Sequence, residues 1–149
     1  MGAWGYGSFD NYGALDFFEE LEYSLWECID DTLGQIQRVV EDEGDPPLSA
    51  DDGAAIVTIG ELLAAALGRP GVGAPHNATT VASLLYLEEA ARRVPTLLDA
   101  LEVVVDPAAS VLADQWAEGH PDAFEGWLAA IDELRHRLYA SLSALSEAA

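Results

Sequence analysis

Residues 121–145, PDAFEGWLAAIDELRHRLYASLSAL, decide the fold class. Phe124, Trp127, Ile131, Leu134, Leu138, Leu142 and Leu145 recur every three or four residues, so in an α-helix they share one face and leave the acids and arginines on the other. Gly119 and Pro121 punctuate the entry, and a first turn is where a proline's missing N–H costs nothing. Pro95 and Pro107 read the same way, predicting helices over about Leu97 to Val105 and Ala108 to Glu118. A helix from about Thr79 to Arg93, carrying Val81, Leu84, Leu85 and Leu87, is predicted before them.

Upstream, Gly71, Gly73 and Pro75 mark Arg69 to Asn77 as a surface loop. Ser49 with Asp52 three residues on starts a helix bearing Ile56, Ile59, Leu63 and Leu67, which Gly68 and Pro70 end. The run Glu41-Asp42-Glu43-Gly44-Asp45-Pro46-Pro47 stops an earlier helical stripe of Leu15, Phe18, Leu21, Leu25, Ile29, Leu33, Ile36 and Val40. Ser24 and Glu27 allow a break in that stripe near Tyr23, and Gly34 weakens it. Residues 1–13 interleave Gly2, Gly5, Gly7 and Gly13 with Trp4, Tyr6, Phe9 and Tyr12, which reads as an ordered arm whose aromatic side chains need burial. Nowhere do β-branched and polar residues alternate over a strand's length. The expectation is an all-α, single-domain bundle of about six helices spanning 14–147, with the N-terminal arm packed on it.

Half of the 149 residues are apolar, ample for one core. The charge is the strongest compositional signal: 27 Asp and Glu stand against 6 Lys and Arg, all of them arginine, for a formal net charge of -21. Such a surface repels nucleic-acid phosphates and anionic lipid, whose capture relies on Lys and Arg, so direct nucleic-acid or membrane binding is not expected. It attracts basic proteins and speeds their encounter. No apolar run approaches a membrane span and the start carries no secretory pattern, which predicts a cytoplasmic protein. Cys28, the only cysteine, reads as a buried structural thiol.

Catalytic constellations are sparse. Glu19, Glu22, Glu27 and Asp30 form two spaced acid pairs that faintly suggest a helical, magnesium-dependent hydrolase, but such a site needs carboxylates converging from several helices and these share one segment. A solvated acidic face is the plainer reading. The acidic loop from Glu41 to Asp52 fails the calcium-loop spacing, since Gly53 at the centre would put Ile59 in the bidentate position. His76, His120 and His136 are far apart, and Asp132 one turn before His136 suggests a surface ion pair. No catalytic residue, metal ligand or cofactor site is nominated.

The opening MGAWGYGSFDNYGALDFFEEL resembles the start of a bacterial family known as domain of unknown function 4259, through Met1 to Gly5, Phe9-Asp10-Asn11 and Ala14-Leu15-Asp16. Ala108 to Leu138 is similar to the family's C-terminal pattern, with Leu112 and Trp116 followed by Asp132 to Leu138. Tyr12 and Gly13 depart from the acidic residues the pattern has there. The resemblance implies a cytoplasmic bacterial protein and carries no activity. Its most suggestive polar positions are Asn11 and Asp16, which are read first as a helix cap and an anchor for the arm and second as ligand-binding groups. Trp4, Phe9, Trp116 and Trp127 are the expected structural anchors, and Trp4→Ala is expected to cost about 3 to 5 kcal/mol.

Three functional expectations follow from these residues. The first is a small acidic interaction module, immunity-like, antitoxin-like or a nucleic-acid mimic, that binds a basic protein. The second is a metal-dependent hydrolase or ligand-binding helical protein whose carboxylates come from several helices. The third is an accessory protein that forms a homodimer and takes no ligand.

Overall fold

The computed structural model describes residues 25–71, 82, 85 and 87–148, with the backbone alone at 25 and 145–148. The expected N-terminal arm, the expected helical stripe before residue 25 and most of the first half of the helix predicted from Thr79 to Arg93 lie outside the described residues. Among those described the chain is all-helical, with five helices: α1 Leu25–Glu41, α2 Ala50–Ala66, α3 Leu87–Val104, α4 Val111–Glu118 and α5 Pro121–Ala148. The β-structure among them is a single parallel bridge between Leu48 and Ser110.

The chain builds the bundle around α2. Every residue from Gly53 to Ala64 is buried, because the helix carries almost no charge past its first turn and is apolar all round. The sequence stripe of Ile56, Ile59 and Leu63 is therefore one side of a helix that packs on α1, α3, α4 and α5 at once. Its ends form as their residues dictate. Ser49 Oγ accepts the Asp52 N–H at 3.1 Å. At the other end Gly68, at φ +89°, lets the Arg69 N–H reach the Ala64 carbonyl at 2.8 Å and close the last turn. Two glycines on α2 permit the tight packing: a Cβ on Gly53 would meet the Leu112 side chain of α4 at 3.3 Å, and one on Gly60 would meet Leu134 of α5 at 2.9 Å and Leu97 of α3 at 3.1 Å.

The stripe that opened the reading forms α5, about 42 Å long at 1.5 Å per residue. Trp127, Ile131, Leu134 and Leu138 are buried, Phe124 and Leu142 are half-buried, and Leu145 lies beyond the described side chains. On α1 the stripe continues as Ile29, Leu33, Ile36 and Val39 in the core, with Val40 turned out to solvent.

Three expectations are corrected. Pro95 sits inside α3, not at a first turn: buried Val94, Leu97, Leu98 and Leu101 hold the helix together across it, and apolar burial of about 1.5 to 3 kcal/mol per side chain outweighs the roughly 3 kcal/mol a mid-helix proline costs. Pro107 does not open the next helix. Asp106 makes a turn by accepting the Ala108 N–H on its side chain at 2.9 Å and the Ser110 N–H on its carbonyl at 2.9 Å. Ser110 then takes the extended conformation and caps α4, its Oγ accepting the Ala113 N–H. Cys28 is half-buried against the core, less enclosed than its apolar neighbours suggest.

Candidate functional site

The acids divide by depth. Among the described residues Glu61 is the buried carboxylate, and the others lie at or near the surface. Glu61 is held by Arg137 of α5, whose two terminal nitrogens donate to its two oxygens at 2.8 and 2.7 Å. Arg137 also donates to Glu133 from Nε at 2.7 Å and to the Arg69 carbonyl at 3.2 Å. Burial opposes the arginine's charge, but the hydrogen bonds to Glu61 and Glu133 outweigh it and raise the guanidinium's pKa above its ordinary value. A Cβ on Gly71 would come within 2.7 Å of Glu61 Oε2, so a larger residue where the chain leaves α2 would make this pair shift.

A second arginine ties α3 to α1. Arg93 donates from Nε and one terminal nitrogen to both oxygens of Asp30, at 2.8 and 3.0 Å, and from the other to Glu89 at 2.9 Å. Its guanidinium lies over the Trp26 ring, 4.2 Å from the centroid. The hydrogen bond from Arg93 holds the Asp30 carboxyl below its usual range, and that same bond raises the Arg93 pKa. Next to this link, α1 and α3 border an open groove of about 390 Å³ lined by Asp30, Leu33, Gly34, Gln37, Thr96 and Asp99.

Most of the cations are paired within the chain. Arg38, Arg92 and Arg135 pair with Asp42, Glu89 and Glu102, so five of the six cationic side chains contact a carboxylate of the same chain. At the end of α1 Glu41, Asp42, Glu43 and Asp45 are all exposed, and of these Asp42 is the one paired with an arginine among the described residues. The loop carrying them abuts the 106–110 turn with exposed Asp106, because the Leu48 N–H bonds the Ala109 carbonyl and the Val111 N–H bonds the Leu48 carbonyl, both at 2.8 Å. Glu43 closes α1 at φ 55°, a conformation that costs a residue with a Cβ about 1 to 2 kcal/mol and that glycine adopts freely.

The nominated residues fall as follows. Trp4, Phe9, Asn11 and Asp16 lie outside the described residues, as do Glu19 and Glu22. Trp116 and Trp127 are 6% and 5% exposed, and their rings stack at 5.9 Å and 9° between α4 and α5, with Phe124 alongside at 6.2 Å. Of the second acid pair, Asp30 is engaged by Arg93, and Glu27 is exposed on the same helix. His136 and Asp132 lie 3.8 Å apart at the surface. Among the described residues no group of three or more His, Cys, Asp or Glu side chains is arranged to hold a metal ion. Two groupings escaped the sequence reading, Asp30–Arg93–Trp26 and Glu61–Arg137. The second left one signal: Glu61 is the lone charge in an otherwise apolar helical run.

What fold and surface define together is an all-helical, strongly acidic protein, most of whose cations pair with its own carboxylates. The chain belongs to the family described as domain of unknown function (DUF4259), whose model matches residues 2–130. No curated protein and no solved structure matches it. Among the described residues no helix is long and apolar enough to cross a membrane.

Proposed function

We propose that this protein is an acidic interaction module that docks onto a basic partner protein in the cytoplasm, in the manner of an immunity protein, an antitoxin or a nucleic-acid mimic. The observation that carries the reading is the separation of charge. Five of six cations are paired with carboxylates of the same chain, while Glu41, Glu43 and Asp45 of the 41–45 loop stay exposed beside the 106–110 turn with no arginine among the described residues paired to them. Solubility needs no such partition, and Glu43 keeps a charge at a backbone position where glycine is favoured. A surface of this kind accelerates encounter with a positive face and rejects negative ones. On this reading the six-helix bundle with its N-terminal arm is one rigid scaffold for the acidic end, and the module performs no catalysis.

Identification of the partner from cell extract, followed by stopped-flow association at rising salt, tests the reading. The association rate should fall steeply as salt shortens the Debye length from about 30 Å at 0.01 M to about 10 Å at 0.1 M, and Asp42→Asn with Asp45→Asn should flatten the dependence. A complex with a partner of low pI, or one whose association rate ignores salt, refutes it.

A further inference from the structure

The chain leaves α2 across the ion pair that joins α2 to α5, and the way it does so builds a part that can move by itself. Leu67 is half-buried and Gly68, Arg69 and Pro70 are exposed, so residues 68–70 bury little apolar surface of their own. What holds them is polar. The Gly68 and Arg69 N–H groups bond back to the Ala65 and Ala64 carbonyls at 3.0 and 2.8 Å, and Arg137 Nη1 donates to the Arg69 carbonyl at 3.2 Å. Gly71 then lies against the pair itself, where an added Cβ would sit 2.7 Å from Glu61 Oε2 and 3.3 Å from each terminal nitrogen of Arg137.

Arginine suits this position as no other cation does. Its planar fork spends Nε on Glu133 and both terminal nitrogens on Glu61, and Nη1 also reaches the Arg69 carbonyl, so one side chain joins α5, α2 and the α2 exit. The Glu61 and Arg137 side chains are 7% and 16% exposed, which places their attraction in a low dielectric where it is strong. Part of that shelter is the strap of residues lying across them. Lifting 68–71 admits water to the carboxylate and guanidinium, which weakens the hold on Arg69, and reclosing expels the water and restores it. Such mutual support favours two states, open and closed, over a graded loosening.

We infer that residues 68–71 form a strap latched by Arg137, which opens as a local unit onto the buried Glu61 carboxylate while the helices stay packed. Ile59, Leu62 and Leu63, the apolar anchors of α2, are fully buried and hold the helix in place whether or not the latch is closed. The inference stands apart from the reading of the acidic end and needs no partner.

Amide hydrogen exchange on the full chain tests it, read at Gly68 and Arg69 and, as the internal standard, at Ile59, Leu62 and Leu63. Gly71→Ala, which brings a methyl group against Glu61, should speed exchange at the two strap amides about tenfold relative to the standard ones. Arg137→Lys keeps a cation beside Glu61 but cannot reach Glu61, Glu133 and Arg69 together, and should have the same effect. The double variant should gain no more than either single one, because both release one latch. Arg93→Lys, which alters the link between α3 and α1, should leave the strap amides unchanged relative to the standard. Equal acceleration at strap and standard amides would make the Glu61–Arg137 pair a prop for the whole bundle and overturn the latch. No acceleration in either variant, or additive effects in the double one, would overturn it as well. Strap amides that exchange at the unprotected rate in the parent protein would show a strap already open, and the inference would fall. If Arg137→Lys does not fold, Gly71→Ala decides by itself.

Discussion

The same substitution, glycine to alanine, should have opposite effects at two helical positions of this protein. Gly34 and Gly60 both sit inside helices, and in each case alanine gains about 0.5 to 1 kcal/mol by restricting the unfolded chain and favouring the helix. At Gly34 that gain stands alone, since the added methyl meets nothing within 4 Å among the described residues. At Gly60 the methyl arrives 2.9 Å from Leu134 Cδ2 and 3.1 Å from Leu97 Cδ2, on two different helices. Both leucines are fully buried, so neither can withdraw into solvent. Overpacking a filled core costs about 1 to 3 kcal/mol, leaving Gly60→Ala a net loss of about 1 kcal/mol. For a chain of this size each kcal/mol moves the thermal midpoint by about 2 to 4 °C. Gly34→Ala should therefore melt about 2 to 3 °C above the parent and Gly60→Ala about 3 °C below it, with the same order in urea. If Gly60→Ala proved as stabilising as Gly34→Ala, the close crossing of α2 with α3 and α5 would be wrong, and with it the account of why α2 is the buried centre.

Other expectations test the charge network. Arg137→Leu should cost about 3 kcal/mol by denaturant unfolding, because it strands the buried Glu61 carboxylate, whereas Arg38→Leu, which breaks an exposed pair with Asp42, should cost less than about 1 kcal/mol; equal losses would contradict the difference in burial. Stability at neutral pH should rise from low to moderate salt as screening relieves the repulsion of a net charge of -21, and a midpoint that stays flat or drops would refute it. The carboxyl of Asp30 titrates below its unfolded value of about 3.9, so its contribution is complete above that pH and is lost as pH falls through the lower, folded value. Asp30→Asn should accordingly weaken the protein at pH 7 by no more than about 1 kcal/mol, given the carboxylate's exposure, and the two proteins should converge in stability as pH falls through the lowered folded value; a gap that persisted in acid would remove the ion pair as the cause.

Local chemistry along the chain was legible without a fold. The Trp127, Ile131, Leu134 and Leu138 stripe, the Ser49 cap, the Gly68 stop and the helix-ending run after Glu41 each depend on residues within a few positions of one another, so period and punctuation sufficed. The net charge also needed only counting. Where neighbours distant in sequence compete with local preference, the reading failed. Pro95 carries the same signal as a first-turn proline, and only the burial of Val94, Leu97 and Leu98 against other helices keeps α3 running through it. Pro107 precedes a turn and not a helix because Leu48, far upstream, pairs with Ala109 and Val111 and draws Ser110 into an extended conformation. The pairings of Asp30 with Arg93 and Glu61 with Arg137 span 63 and 76 residues, and with 27 acids available no spacing rule picks out the two that meet an arginine. Nor could sequence separate Gly34 from Gly60, since both are glycines within helical runs; which of them meets another helix among the described residues is decided by tertiary packing, which makes Gly60 a core contact and leaves Gly34 exposed at the edge of the α1–α3 groove.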